Sequence, residues 1–460
     1  MNIYEEIRRK NADKQERPAL SIRLKGGSER SYTFAQMFAA VSGYQQMLVA
    51  EGLCPGDRVA IISESCPEWT IVFLAIASVG ATSLLMDASL GATDLMEQLE
   101  QSDVRCLFAS PKSIEKLGNI PVPTFDLLAG SNAYLNERKP LRTATIPGNE
   151  MAASIIFSSG TTKKASGILH SHDSILNSAL MCMESNHLNA KDRFLAILPN
   201  SHIYGVLCQI VGPLLLGAPT CFLDEMTSEA LVGGFKEFKP SIFPAVPKIY
   251  ELLKTQISFK INSDPTTKKL FATLFPICLK LRKATGINLG KKLFKTVHDN
   301  FGGQLRILCS AGAPTEAETA EFFYGIGFDF LITYGATETC IPTIGNYGRQ
   351  ISTDTCGKPY PNITVKISES GEILIKTPYR MLGYFENQEA TVAAFNKDGW
   401  FCSGDLGCID QKGLVRVLGR CKDNIVLATG KKIAPDDIEK AYMGIDGLKE
   451  LVVCGIPVSD

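Results

Sequence analysis

Apolar residues along the chain fall into two rhythms. Short unbroken runs, such as Arg58-Val59-Ala60-Ile61-Ile62, Phe194-Leu195-Ala196-Ile197-Leu198 and Leu305-Arg306-Ile307-Leu308-Cys309, alternate with longer stretches at helical spacing. Strands that are apolar throughout are covered on both faces, so the alternation predicts parallel sheets with helices packed on them. After Thr353 the rhythm shortens. Ile363-Thr364-Val365-Lys366-Ile367, Gly371-Glu372-Ile373-Leu374-Ile375-Lys376 and Gly413-Leu414-Val415-Arg416-Val417-Leu418 predict a small antiparallel β subdomain over about 353–418. The strands stop near Gly419-Arg420, and Pro435 or Asp436 is placed to open a helix in the last segment. Leu451-Val452-Val453 reads as a final buried strand, cut off before a domain of ordinary size is complete.

Two apolar runs raise the question of a membrane span. Ile71–Met86 is short, and Val206–Leu223 is interrupted by Gln209, Gly212, Pro213, Gly217 and Pro219, so both are expected as buried helices or strands. A third stretch, 254–295, interleaves ten Lys or Arg with Leu270, Phe271, Leu274, Phe275, Leu279, Leu281, Leu293 and Phe294. Its spacing is read as a solvated helical face over a core stripe, with at most a peripheral contact with a membrane surface as the other reading.

The chain of 460 residues is long enough for two to four domains of the usual size and for a large core. Its 47 Lys+Arg nearly balance 48 Asp+Glu, which predicts no bulk attraction to nucleic acid or anionic lipid and favours small-molecule chemistry. The 14 cysteines are dispersed singly, without a CxxC pair or a cluster at zinc-like spacing, and are expected as reduced, mostly buried thiols. The charged start, Met1-Asn2-Ile3-Tyr4-Glu5-Glu6-Ile7-Arg8-Arg9-Lys10, lacks a signal peptide's apolar region, so a cytoplasmic protein is expected.

The candidate chemistry sits where predicted strands end. Ser154-Ile155-Ile156-Phe157 delivers the chain into Ser158-Ser159-Gly160-Thr161-Thr162-Lys163-Lys164-Ala165-Ser166-Gly167. Hydroxyls and backbone N–H groups there can donate to phosphate oxygens, glycine lets the backbone approach closely and lysine offsets negative charge, although the spacing is not that of a Walker loop. A second predicted strand, Phe328–Thr333, ends in Tyr334-Gly335-Ala336-Thr337-Glu338-Thr339. There an aromatic ring can stack on a base, a threonine can hold a phosphate oxygen and a glutamate can hold Mg²⁺. Ser310-Ala311-Gly312-Ala313-Pro314, Phe401-Cys402-Ser403-Gly404-Asp405 and Gly419-Arg420-Cys421-Lys422-Asp423 complete a set of five loops.

In order, spacing and content these loops resemble the adenylate-forming enzymes, the superfamily of acyl-CoA synthetases, luciferases and peptide-synthetase adenylation domains. The texture of Leu198–Gly205, Phe243–Glu251 and Arg306–Pro314 is similar to fatty acyl-CoA synthetases of the long-chain type. The resemblance implies a large body of stacked, mainly parallel α/β sheets with the β subdomain at 1–420, and an incomplete α+β lid domain at 421–460. It implies ATP-dependent activation of a carboxylic acid, expected to be fatty, to acyl-AMP. Transfer to coenzyme A follows; the alternatives are an acyl- or aryl-AMP ligase that loads the phosphopantetheine thiol of a carrier protein and, from another class, a non-catalytic nucleotide- or acyl-binding core.

By the same resemblance Ser158, Ser159, Gly160, Thr161, Thr162 and Lys163 hold phosphate, Gly312, Ala313 and Pro314 border the adenine, and Tyr334 and Gly335 flank it. Asp405 and Arg420 hold the ribose, Thr337 meets the α-phosphate and Glu338 the Mg²⁺. His202 borders an acyl tunnel, against the plainer reading of a core histidine. Lys422 is the hinge of the lid, and Lys431 and Lys432 belong to the thioester half-reaction. The chain departs from the family where Lys163 and Ser166 replace the usual glycine and lysine. It also ends before the family's carboxy-terminal lysine, read as a truncated product, an engineered or proteolysed core, or a protein completed by another polypeptide, so slow or absent adenylation with retained nucleotide binding is expected.

Overall fold

Arg58–Ile62 forms a strand flanked by Thr82–Met86 and Cys106–Ala109, both parallel to it, with Val59 opposite Ser83 and Cys106. In the computed structural model, residues 2–130, 151–157, 166–340, 342–347, 351–422, 425–426, 432–433, 435–442, 445 and 451–453 are described. These strands centre a seven-stranded sheet that runs on through Ala152–Phe157, Gly167–Ser171 and Gly383–Tyr384 at one side and Thr124–Asp126 at the other. A nine-stranded sheet is parallel through Asp329–Tyr334, Ile307–Ser310, Ile242–Ala245, Phe194–Ala196, Thr220–Leu223 and Pro18–Arg23, with short antiparallel strands at its edges.

The main core lies between these two sheets. It joins Val59, Ile61, Leu85 and Ile156 of the first sheet to Leu20, Ala196 and Phe222 of the second. Helix Pro67–Ser78 fills the space between, and all of its residues are buried, which is why its sequence is apolar on every side. The two apolar runs resolve the same way. Ile71–Met86 is the end of that helix plus a strand, and Val206–Leu223 is a π-helical turn at Val206–Val211, helix Gly212–Leu216 and strand Thr220–Leu223. Among the described residues no helix is long and apolar enough to cross a membrane. No disulfide links the described cysteines, most of which are buried.

The antiparallel subdomain is a four-stranded sheet of Thr364–Ile367, Glu372–Lys376, Phe401–Ile409 and Val415–Arg420. Two short strands inside the expected 353–418 span leave it: Lys358–Pro359 joins the nine-stranded sheet and Gly383–Tyr384 the seven-stranded one. The subdomain is thereby tied to both large sheets.

Stretch 254–295 holds most of helix Pro247–Asn262 and all of helix Pro265–Thr285. The core stripe exists but is narrow: Phe271 and Phe275 stack on each other and against Phe322, and only Cys278 and Arg282 of the longer helix are buried. After Arg420, Ile425–Val426 pairs antiparallel with Lys432–Ile433, and helix Pro435–Tyr442 opens at the proline as expected. Leu451–Val453 is not a strand; the Val453 N–H donates to the Glu439 carboxylate at 2.8 Å, not to a sheet ladder.

Candidate active site

Strands Ile307–Ser310 and Asp329–Tyr334 are parallel neighbours with Ser310 opposite Ile332, so the segments leaving their carboxyl ends emerge side by side. Ligands of parallel sheets bind at such ends. Gly312, in the first of these segments, has a φ of 88°, a left-handed conformation that glycine adopts without strain. Gly312, Ala313 and Pro314 are all exposed.

Three expected residues from three separate segments meet at one carboxylate. The Tyr334 hydroxyl donates to Asp405 Oδ2 at 2.6 Å, and the Arg420 Nε lies 3.2 Å from Asp405 Oδ1. The sheet itself makes the second contact, because Asp405 and Arg420 are direct partners across two antiparallel strands. Gly404, at φ 71°, turns the chain just before Asp405, and its N–H is held by the Glu372 carboxylate at 2.8 Å. Burial, reinforced by the Asp405 charge, drives the Tyr334 phenol far above its ordinary pKa, so it stays a hydrogen-bond donor.

Thr337 and Glu338 sit on the 3₁₀ turn Thr337–Thr339, pinned by the Ala336 N–H donating to Thr339 Oγ1 at 3.1 Å. Glu338 Oε1 accepts from the Tyr384 hydroxyl at 2.9 Å, and the Glu338 carbonyl accepts from the Met381 N–H at 2.7 Å. Tyr384 stands opposite Ile168 in the antiparallel pair of Gly383–Tyr384 with Gly167–Ser171. Burial first, and the Glu338 charge second, raise its phenol pKa well above normal.

The loop residues Ser158, Ser159, Gly160, Thr161, Thr162 and Lys163 lie outside the described residues. Its anchors do not: Phe157 is paired with Gly167, on the strand that also carries the partner of Tyr384. The two ends of the loop therefore reach the strand whose other neighbour holds Glu338.

His202 caps the short turn Ile203–Gly205 and is 47 % exposed at its side chain, with Nε2 3.6 Å from Asp87 Oδ2. That exposure rules out the core-histidine reading. The same turn is fixed to the strand that leads into the 310–314 segment, since the Tyr204 hydroxyl donates to the Cys309 carbonyl at 2.9 Å, one residue from the end of that strand. Lys422 is exposed beyond the last subdomain strand, and the Cys421 N–H donates to the Gly404 carbonyl at 2.7 Å. Lys431 lies outside the described residues; Lys432 is described in its backbone, within Lys432–Ile433.

Sequence reasoning missed Tyr384, Asp87 and Glu372, each of which touches a predicted residue or its turn. No spacing rule links Tyr384 to a carboxylate 46 positions away. Among the described residues no group of three or more His, Cys, Asp or Glu could hold a metal ion alone. A single carboxylate suits Mg²⁺ that takes its remaining ligands from phosphate and water, so Glu338 fits the ion the fold implies.

A family model described as AMP-binding enzyme matches residues 7–385. In Mycobacterium tuberculosis, a (methyl-dioxo-octahydroindenyl)propanoyl:CoA ligase is 26 % identical over 454 residues, covering 93 % of this chain and 82 % of its own length. The long-chain-fatty-acid–CoA ligase FadD15 of the same organism is 27 % identical over 440 residues, covering 89 % of this chain and 72 % of its own. Among solved structures, ATP-bound MatB from Rhodopseudomonas palustris superposes with a TM-score of 0.78 at 23 % identity, covering 99 % of this chain and 86 % of that one. The fold is shared throughout.

Proposed function

Because the chain belongs to the AMP-binding enzyme family, we propose that it activates a fatty acid with ATP and passes the acyl group to coenzyme A. A carboxylate oxygen attacks the α-phosphorus, the bond to the bridging oxygen of the β-phosphate breaks, and pyrophosphate leaves with its electron pair. The thiolate of coenzyme A then attacks the acyl carbon and AMP departs. Both similar ligases are named as CoA ligases, which supports coenzyme A over a carrier protein as acceptor.

The observation that carries this reading is the convergence of Tyr334 and Arg420 on Asp405 beside the exposed Gly312–Pro314 segment. In the proposed complex the Tyr334 ring stacks on adenine between Gly335 and the 312–314 segment. Asp405 accepts from the ribose hydroxyls, and Arg420 steadies that carboxylate. Thr337 donates to the α-phosphate, and the loop from Ser158 to Lys163 wraps the remaining phosphates. Glu338 would hold Mg²⁺, which when bound neutralises phosphate charge. His202 borders the acid's path, residues 1–420 form the catalytic body, and 421–460 belong to a lid that turns at Lys422 with Lys431 and Lys432 serving thioester formation. Catalysis on such a site rests on placing two anions together and compensating their charge, without covalent work by the protein.

Calorimetry with ATP and with a nonhydrolysable acyl-AMP mimic tests the site, and hydroxamate trapping across a fatty-acid panel tests the chemistry. Charged hydrogen bonds contribute about 1.5–3 kcal/mol each, so Asp405→Ala is expected to weaken ATP by about tenfold to a hundredfold. Unchanged ATP affinity in that variant, with its melting temperature preserved, overturns the assignment.

A further inference from the structure

The helices Pro247–Asn262 and Pro265–Thr285 pack on each other, yet they leave large apolar side chains in the open. Phe259 is 76 % exposed, Leu270 58 %, Ile277 56 %, Leu252 51 % and Leu293, just beyond, 49 %. Leu252 and Phe259 are seven positions apart on one helix, as are Leu270 and Ile277 on the next, so each pair lies on one helical face. Large apolar side chains left exposed on one face of each helix are the kind that mark an interaction surface.

The charge on the two helices is mostly basic, with Glu251 beside Leu252 paired to Lys248. Residues 252–295 contain ten Lys or Arg and a single acid, Asp264. That carboxylate is occupied in capping the second helix, accepting from the Thr267 N–H at 2.7 Å. Lys254, Arg282, Lys283 and Lys295 have ion-pair partners. Lys260, Lys268, Lys269, Lys280, Lys291 and Lys292 are exposed, and among the described residues none has one. The chain as a whole carries a net charge of only −1, so this excess is local.

We propose that this helical pair docks on an anionic lipid surface, its apolar side chains entering the headgroup region and its unpaired lysines meeting lipid phosphates. A basic face beside exposed Phe and Leu is the chemistry that binds such surfaces. A second copy of this chain is the weaker occupant, because a two-fold contact sets the patch against itself and opposes the lysines to one another. The inference stands apart from the reading of the nucleotide site.

Flotation with vesicles of phosphatidylcholine, with and without phosphatidylglycerol, decides it. The full chain is expected to float with the anionic vesicles alone and to be released at high salt, where the screening length shrinks to about 3 Å at 1 M. K268Q/K269Q/K280Q is expected to lower the partition coefficient on the order of a hundredfold. Phe259→Ser with Ile277→Ser is expected to weaken it as well, and all of these positions are exposed, so folding is preserved. Equal binding to neutral vesicles, no binding to anionic ones, or partitioning unchanged in both variants overturns the proposal. So does self-association, seen by sedimentation, that disappears in the Phe259→Ser/Ile277→Ser protein. ATP binding measured in parallel separates any such failure from failure of the acid-activating assignment.

Discussion

Tyr334 and Tyr384 perform one task at two carboxylates: each offers a hydroxyl, kept protonated by burial, to an acid that the proposed reaction needs in a fixed place. Phenylalanine at 384 keeps the ring and removes only that donor, leaving Glu338 free to turn. The expected result for Tyr384→Phe is a several-fold higher Mg²⁺ concentration for half-maximal ATP binding, with Mn²⁺ restoring part of it and the melting temperature little moved. A Mg²⁺ dependence identical to wild type counts against this role. Gly312 supplies a second residue-level case. An added Cβ meets nothing nearer than Val246 at 3.9 Å, so Gly312→Ala is a conformational test and not a steric one. The φ of 88° is expected to cost about 1–2 kcal/mol in a denaturant titration.

Between residues and sheets, Asp192 ties the starts of three adjacent strands. Its carboxylate, 6 % exposed, accepts from Ser241 Oγ at 2.7 Å, the Asn189 N–H at 3.0 Å and Arg306 Nη2 at 2.9 Å, just ahead of Phe194–Ala196, Ile242–Ala245 and Ile307–Ser310. Asp192→Ala strands the Arg306 and Ser241 donors and is expected to cost about 3 kcal/mol in a urea titration. ATP affinity of the folded fraction should stay normal, because the knot lies at the opposite strand ends from the site. Elements of this size were largely legible from hydrophobic rhythm. Arg58–Ile62 is a strand over its whole predicted length, whereas the run from Phe194 stops at Ala196 because the N–H groups of Ile197 and Leu198 both donate to Gln209 Oε1 at 2.7 Å. Lys358–Pro359 and Gly383–Tyr384 were not legible, since two residues carry no period and their partners are distant in sequence. Site motifs could be read where the chemistry was local, as in Tyr334–Glu338. Tyr384 reaches the site through tertiary pairing alone.

At the scale of the whole molecule, the core between the sheets contains a polar row that shapes its response to acid. Ser83 stands opposite Ser154 and Ser154 opposite His170, across three neighbouring strands of the seven-stranded sheet. Among the described residues the two hydroxyls and both His170 ring nitrogens find no hydrogen-bond partner. Burial holds His170 neutral, its pKa pushed down to about 3, and does the same to His172, down to about 4. An unfolded histidine titrates near pH 6.5, so below that pH the unfolded chain binds protons that the folded chain refuses. Stability therefore falls as pH drops from about 6.5 toward 4, by up to about 1.4 kcal/mol per pH unit for each of the two histidines. Carboxylates add their own slope lower in this range, so the informative measurement is a difference. His170→Leu replaces an unpartnered polar ring by an apolar side chain, which is expected to leave stability at pH 7 equal or higher. Urea midpoints taken from pH 7 to pH 4 should then decline less steeply in the variant than in the wild type. Parallel declines would mean that His170 takes up its proton inside the folded core, and that the row from Ser83 to His170 is open enough to accept the charge.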